Sequence, residues 1–157
     1  MTPAAVSPAA LAEAVSVLPG AFRLDHVAVA VADLDAAVTL YRDVLGLPVT
    51  GREFVADQKV NVAFVGEEPG RIELVCPSSP DSAVAKFIEK KGEGLHHVAV
   101  RVHDLDGTLA RLKEKGVALI DQAGRPGAHG TRVAFLHPKG ARGVLLELVE
   151  LPAAGGH

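Results

Sequence analysis

The chain states one segment twice. The ten residues from His26 to Asp35 return at an offset of 71 as His97 to Asp106, identical at eight of the ten positions. The same offset carries Val62-Ala-Phe-Val65 onto Val133-Ala-Phe-Leu136, and a three-residue insertion then brings Ile72-Glu-Leu-Val75 onto Leu146-Glu-Leu-Val149. A unit this small cannot bury its own apolar face. Two copies must pack into one core, and pseudo-symmetry draws equivalent positions toward a shared centre. Each copy contributes one His and one Glu, so two imidazoles and two carboxylates are expected to meet there.

At 157 residues with 48% hydrophobic content the chain can build a single core, and one domain of two modules is expected. The formal net charge is −3 with Lys and Arg dispersed, which argues against a nucleic-acid partner. No apolar run approaches the roughly 20 residues of a membrane span. No Lys or Arg precedes Arg23, so neither a signal peptide nor an Arg-rich transit peptide is expected. A single cysteine, Cys76, is read as a small buried packing residue in a reducing, cytoplasmic setting.

Residues 1–21 are Ala-rich with three prolines and read as a floppy or short-helical extension; the domain proper is expected over 22–152. Module one, 22–78, opens with a strand from Leu24 to Val31 whose alternation puts Val27, Val29 and Val31 on a core face and His26 on the other. Asp33 is the expected cap of a helix carrying Leu34, Val38, Tyr41 and Leu45 inward until Gly46. Strands follow at Leu47 to Gly51, Gln58 to Val65 and Arg71 to Val75. In the connector, 79–92, Ser79 is the expected cap and Pro80 the first residue of a helix running to Lys91. Module two, 93–152, repeats the order: a strand at His97 to Val102, a helix capped by Asp104 with Leu105, Leu109 and Leu112 inward, then strands near Val117 to Asp121, Thr131 to Leu136 and Val144 to Glu150. The expected fold is α+β: two tandem βαβββ modules forming a curved, half-open barrel-like sheet around a cavity.

A lone His in a strand is ordinarily structural, but His26 and His97 sit at the same place in repeated strands. Glu73 and Glu147 are the solitary charges in otherwise apolar segments, and a carboxylate facing a cavity is costly unless paired or bound to a cation. The alternative is a buried salt-bridge or His-Glu hydrogen-bond network. As a metal site, two imidazoles and two carboxylates suit one divalent first-row ion per subunit, among Co, Ni, Mn and Zn. Open positions on such an ion would chelate a carbonyl and a neighbouring oxygen and stabilise an enolate.

This pattern resembles the vicinal oxygen chelate superfamily, which includes glyoxalase I, extradiol dioxygenases and methylmalonyl-CoA epimerases. Narrower stretches resemble the epimerases in particular: Ser79-Pro-Asp-Ser82, Gly92-Glu-Gly-Leu-His-His97, Arg125-Pro-Gly-Ala-His-Gly130, Phe135-Leu-His-Pro-Lys139 and Gly143-Val-Leu-Leu-Glu-Leu148. The resemblance implies that His26, Glu73, His97 and Glu147 ligate the metal, with Co the first choice. It implies R/S interconversion of methylmalonyl-CoA at C2 by a cytoplasmic homodimer. Some epimerases carry a further acid/base Glu where this chain has Val62, which cannot move a proton. Glu147 is therefore the first candidate proton carrier, and Glu73 or a water the second.

Lys139 has two readings, a solvated turn residue or a contact to a CoA phosphate or the substrate carboxylate. His96 is expected to face away from His97, and His103, His129 and His157 to be surface residues. Two rival functions use the same frame. One is a glyoxalase I type lactoylglutathione lyase, the other a non-catalytic small-ligand-binding protein.

Overall fold

The computed structural model describes residues 23–153, so the expected extension at 1–21 and His157 lie outside the described residues. Module one comprises β1 (Arg23–Ala30), α1 (Leu34–Val38), β2 (Val49–Val55), β3 (Val60–Val65) and β4 (Arg71–Pro77). The connector helix α2 (Ala83–Lys91) leads into β5 (Gly94–Arg101), α3 (Leu105–Glu114), a two-residue β6 (Arg125–Pro126), β7 (Arg132–Leu136) and β8 (Leu146–Glu150). The strands form one curled half-barrel sheet in the order β2-β3-β4-β1-β5-β8-β7-β6. Each half of that order is the other half reversed, so β1 and β5, antiparallel neighbours, form the seam of the pseudo-symmetry.

Helices α1 and α3 cover the outer face. In module one, Leu34, Val38 and Tyr41 pack against Val31, Ala63, Val65 and Leu74. In module two, Leu105, Leu109 and Leu112 pack against Val100, Ala134, Leu136 and Leu148. The inner face carries a second apolar layer in which Ala28, Ala30, Val62, Phe64 and Val75 meet Val84, Phe87 and Ile88 of α2. The wholly buried residues of β1 are therefore on the alanine face that carries His26, while Val27 and Val29, read as core, are half-buried. Replacing Leu109, 3% exposed, with Ala should lower unfolding stability by about 2–5 kcal/mol in denaturant titration. Metal affinity should survive, because the helix lies behind the sheet.

Both βα turns form as expected, with Asp33 accepting from the Ala36 N–H and Asp104 from the Gly107 N–H, each at 3.0 Å. Four local readings are corrected. The first helix widens into a π-helical turn over Thr39–Val44; the wider turn shifts the helical phase, and Leu45 falls 55% exposed. The connector cap is Ser82, not Ser79, and Ser79-Pro80-Asp81 forms the preceding turn, with the Ser82 N–H donated to the Ser79 carbonyl. No strand forms over 117–121: only Leu119 bridges Leu136, and β6 takes the edge position. Cys76 is half-buried against the outer core, and burial pushes its thiol pKa up, away from reactive thiolate character.

Candidate metal centre and active site

Two lateral rows cross the middle of the sheet. Phe64, Glu73, Ala28 and His97 lie side by side on β3, β4, β1 and β5. Phe135, Glu147, Ala99 and His26 lie side by side on β7, β8, β5 and β1. These are one row written twice, and in each the Glu of one module shares its row with the His of the other. Between them stands an alanine, Ala28 or Ala99, which is 0% exposed and too short to fill the space above it. The four expected ligands are thus brought to one cavity, all between 3% and 8% exposed.

The His26 Nε2 lies 3.1 Å from the His97 Nε2 and 3.4 Å from a Glu147 carboxylate oxygen, and the His97 Nε2 is 3.8 Å from that oxygen. One ligand atom from each of these three residues falls within 4.8 Å of the others, so the group could hold a divalent cation. Glu73 stands at its flank, with Oε2 3.1 Å from the other nitrogen of His26, Nδ1, and gripped by the Arg71 Nε at 3.1 Å and its second terminal nitrogen at 3.0 Å.

Sequence reasoning missed the polar ring that encloses His26. Its Nδ1 pairs with Asp25 at 2.6 Å, Asp25 accepts from Arg101 at 2.8 Å, and Arg101 donates to Glu68 at 2.7 Å. Glu68 accepts in turn from Arg71 at 2.8 Å, and Arg71 closes the ring on Glu73. Asp25 was detectable as the repeat partner of His96, one position before His26 and His97 respectively; Arg71 and Glu68 carried no repeat signal, because the insertion places Leu145 at the position equivalent to Arg71.

Burial dominates the electrostatics. It raises Glu147 to about 8, opposed by His26. It raises Glu73 as well, against the pull of His26 and Arg71. Burial would lower His26, but the Asp25 hydrogen bond and the Glu73 and Glu147 charges outweigh it and the net shift is upward. His97 is driven well below its ordinary value by burial, with His26 and His96 adding to the effect. A proton shared among these groups does what a cation would do, and neutralises buried carboxylates.

The cavity is narrow, with about 30 Å³ open to water, and communicates with solvent. A loop of module two, Gly127 to Thr131, forms part of its wall. That loop is latched to module one: Arg125 donates to Asp57 at 2.8 Å and the His129 N–H to Glu53 at 3.0 Å. His129 is an exposed loop residue as expected, and its ring also lies 4.2 Å from that of Phe64 with Nδ1 3.2 Å from Arg71. His103 is exposed. Lys139 is exposed on a turn outside the cavity lining. His96 departs from expectation: its Nδ1 is 2.8 Å from the Nδ1 of His97.

The glyoxalase/bleomycin resistance protein/dioxygenase superfamily model matches residues 25–135. The ethylmalonyl-CoA/methylmalonyl-CoA epimerase of Cereibacter sphaeroides is 42% identical over 132 residues, 82% of this chain and 98% of that protein. The mitochondrial methylmalonyl-CoA epimerase of Mus musculus is 42% identical over 127 residues, 80% of this chain and 71% of that one. A Streptomyces coelicolor methylmalonyl-CoA epimerase variant, solved with 2-nitronate-propionyl-CoA, superposes with a TM-score of 0.78 at 39% identity, covering 83% of this chain and 95% of that one.

Proposed function

The chain belongs to the methylmalonyl-CoA epimerase family of the glyoxalase/bleomycin resistance/dioxygenase superfamily, and from that premise we propose that it interconverts the C2 epimers of methylmalonyl-CoA with a divalent metal held by His26, His97, Glu147 and Glu73. One observation carries the reading: each module delivers one buried carboxylate to the two sides of a central imidazole pair. Epimerisation needs a proton taken from one face of C2 and returned to the other, and two carboxylates from opposite halves of a pseudo-symmetric sheet suit that geometry.

The acidic C–H lies between a thioester and a carboxylate. Glu147 accepts the C2 proton as the C–H bond breaks, the electron pair delocalises into the thioester carbonyl, and a proton from Glu73 is delivered to the opposite face. The other epimer runs the same steps with the two roles exchanged. A bound divalent ion, Co first with Ni, Mn and Zn as alternatives, supplies Lewis-acid stabilisation of the negative charge developing on oxygen. Arg71 holds one oxygen of Glu73, aiming the carboxylate. The loop from Gly127 to Thr131, which forms part of the cavity wall, would flank the malonyl end. Lys139, exposed on a turn outside the cavity lining, keeps both of its readings, a solvated turn residue or a contact to a CoA phosphate or the substrate carboxylate.

Incubation with methylmalonyl-CoA in deuterated water tests this reading. Deuterium should enter C2 from either epimer, and a hemithioacetal of glutathione and methylglyoxal should not turn over. Absence of label, or turnover of the hemithioacetal, would overturn the assignment.

A further inference from the structure

The β1–β5 seam contains two irregularities. Between the pairs Leu24–Val100 and His26–Ala99, β1 carries one extra residue, Asp25. Between Ala28–His97 and Val29–Leu95, β5 carries one extra residue, His96. Asp25 and His96 occupy the same position in the two repeats, 71 residues apart, each immediately before the central histidine of its module. A bulge places two consecutive side chains toward one side of the strand and re-aims them. This is why strict alternation misplaces His96.

Both extra side chains do the same thing. The Asp25 carboxylate takes the Nδ1 of His26 at 2.6 Å, and the His96 Nδ1 takes the Nδ1 of His97 at 2.8 Å. The two Nε2 atoms then face each other at 3.1 Å beside Glu147. An imidazole that ligates through Nε2 and remains neutral carries its proton on Nδ1, and that proton needs an acceptor. Carboxylate oxygen serves at His26; at His97 the unprotonated Nδ1 of a neutral His96 serves. Each acceptor is itself anchored, Asp25 by Arg101 at 2.8 Å and His96 by edge-on packing against Phe87 with ring centroids 4.9 Å apart.

We propose that Asp25 and His96 are positioning residues that, from the paired bulges, fix the tautomer and orientation of His26 and His97 so that both present Nε2 to the metal. This rests on the metal reading given above. The two modules reach the same end with different chemistry, an anionic acceptor in one and a neutral one in the other.

The test is Co²⁺ affinity measured by chelator competition on the full chain, independent of turnover. Asp25→Ala and His96→Phe, which remove the acceptors, should each weaken Co²⁺ binding roughly 10- to 100-fold. Asp25→Asn and His96→Asn, which retain an acceptor atom, should restore most of it. Arg101→Met removes the other partner of Asp25 and should cost far less than Asp25→Ala; an equal loss would assign the effect to the ion pair and overturn the proposal for Asp25. Wild-type-like affinity in both Asp25→Ala and His96→Phe would overturn the positioning role while leaving the metal reading intact. Failure of the wild-type chain to bind Co²⁺ would overturn both. Should the variants fail to fold, nitrogen-15 spectra of the wild-type protein with Zn²⁺ decide: protonated Nδ1 on His26 and His97 supports the proposal, and metal-bound Nδ1 on either rejects it.

Discussion

Stripping the divalent ion is expected to abolish epimerisation, and Co²⁺ to restore it at about one ion per subunit. His26→Ala and His97→Ala should each eliminate stoichiometric binding while the chain stays folded. The reason lies in the arrangement of the donors. His26 touches both His97 and Glu147 through one nitrogen, so losing either imidazole removes half of the nitrogen donors from the centre of the site and leaves a single imidazole with the two carboxylates. Neither histidine supports the main core, which is built from the helices packed behind the sheet and the alanine-valine layer beside α2. Circular dichroism and metal analysis on the same preparations separate the two effects. Full activity in a preparation free of metal would sink the assignment.

The repeat made the architecture legible, because the offset of 71 pairs His26 with His97 and, after the three-residue insertion, the offset of 74 pairs Glu73 with Glu147. Alternation and the Asp33 and Asp104 caps were also legible, being local and dictated by short-range backbone chemistry. What escaped was whatever depends on one strand carrying a residue more than its neighbour. A bulge leaves no mark in a hydrophobic pattern, so His96 read as facing away from His97 when it sits on its Nδ1. The π-helical turn defeats a 3.6-residue period in the same way, leaving Leu45 in solvent. The ring from Asp25 through Arg101, Glu68 and Arg71 to Glu73 joins residues up to 76 positions apart and is absent from the second module, so self-comparison could not find it.

That ring distinguishes the two glutamates that pseudo-symmetry would make equal, and it frames the sharpest comparison. Among the described residues no guanidinium is hydrogen-bonded to Glu147, whose carboxyl is raised by burial. Glu147→Gln should retain some metal, since an amide oxygen still coordinates, and lose turnover by roughly 100-fold or more because the amide cannot accept the C2 proton. Glu73 is gripped by two nitrogens of Arg71, yet burial still leaves it raised. If it is the carboxylate acting where Val62 cannot, Glu73→Gln should lose as much turnover as Glu147→Gln. The two variants should also fail differently in deuterated water. Each should retain slow C2 exchange from the one epimer whose proton faces the surviving carboxylate, and that epimer should differ between them. Near-normal metal and near-normal exchange from both epimers in Glu73→Gln would remove Glu73 from the proton transfer and leave a water molecule as the second carrier.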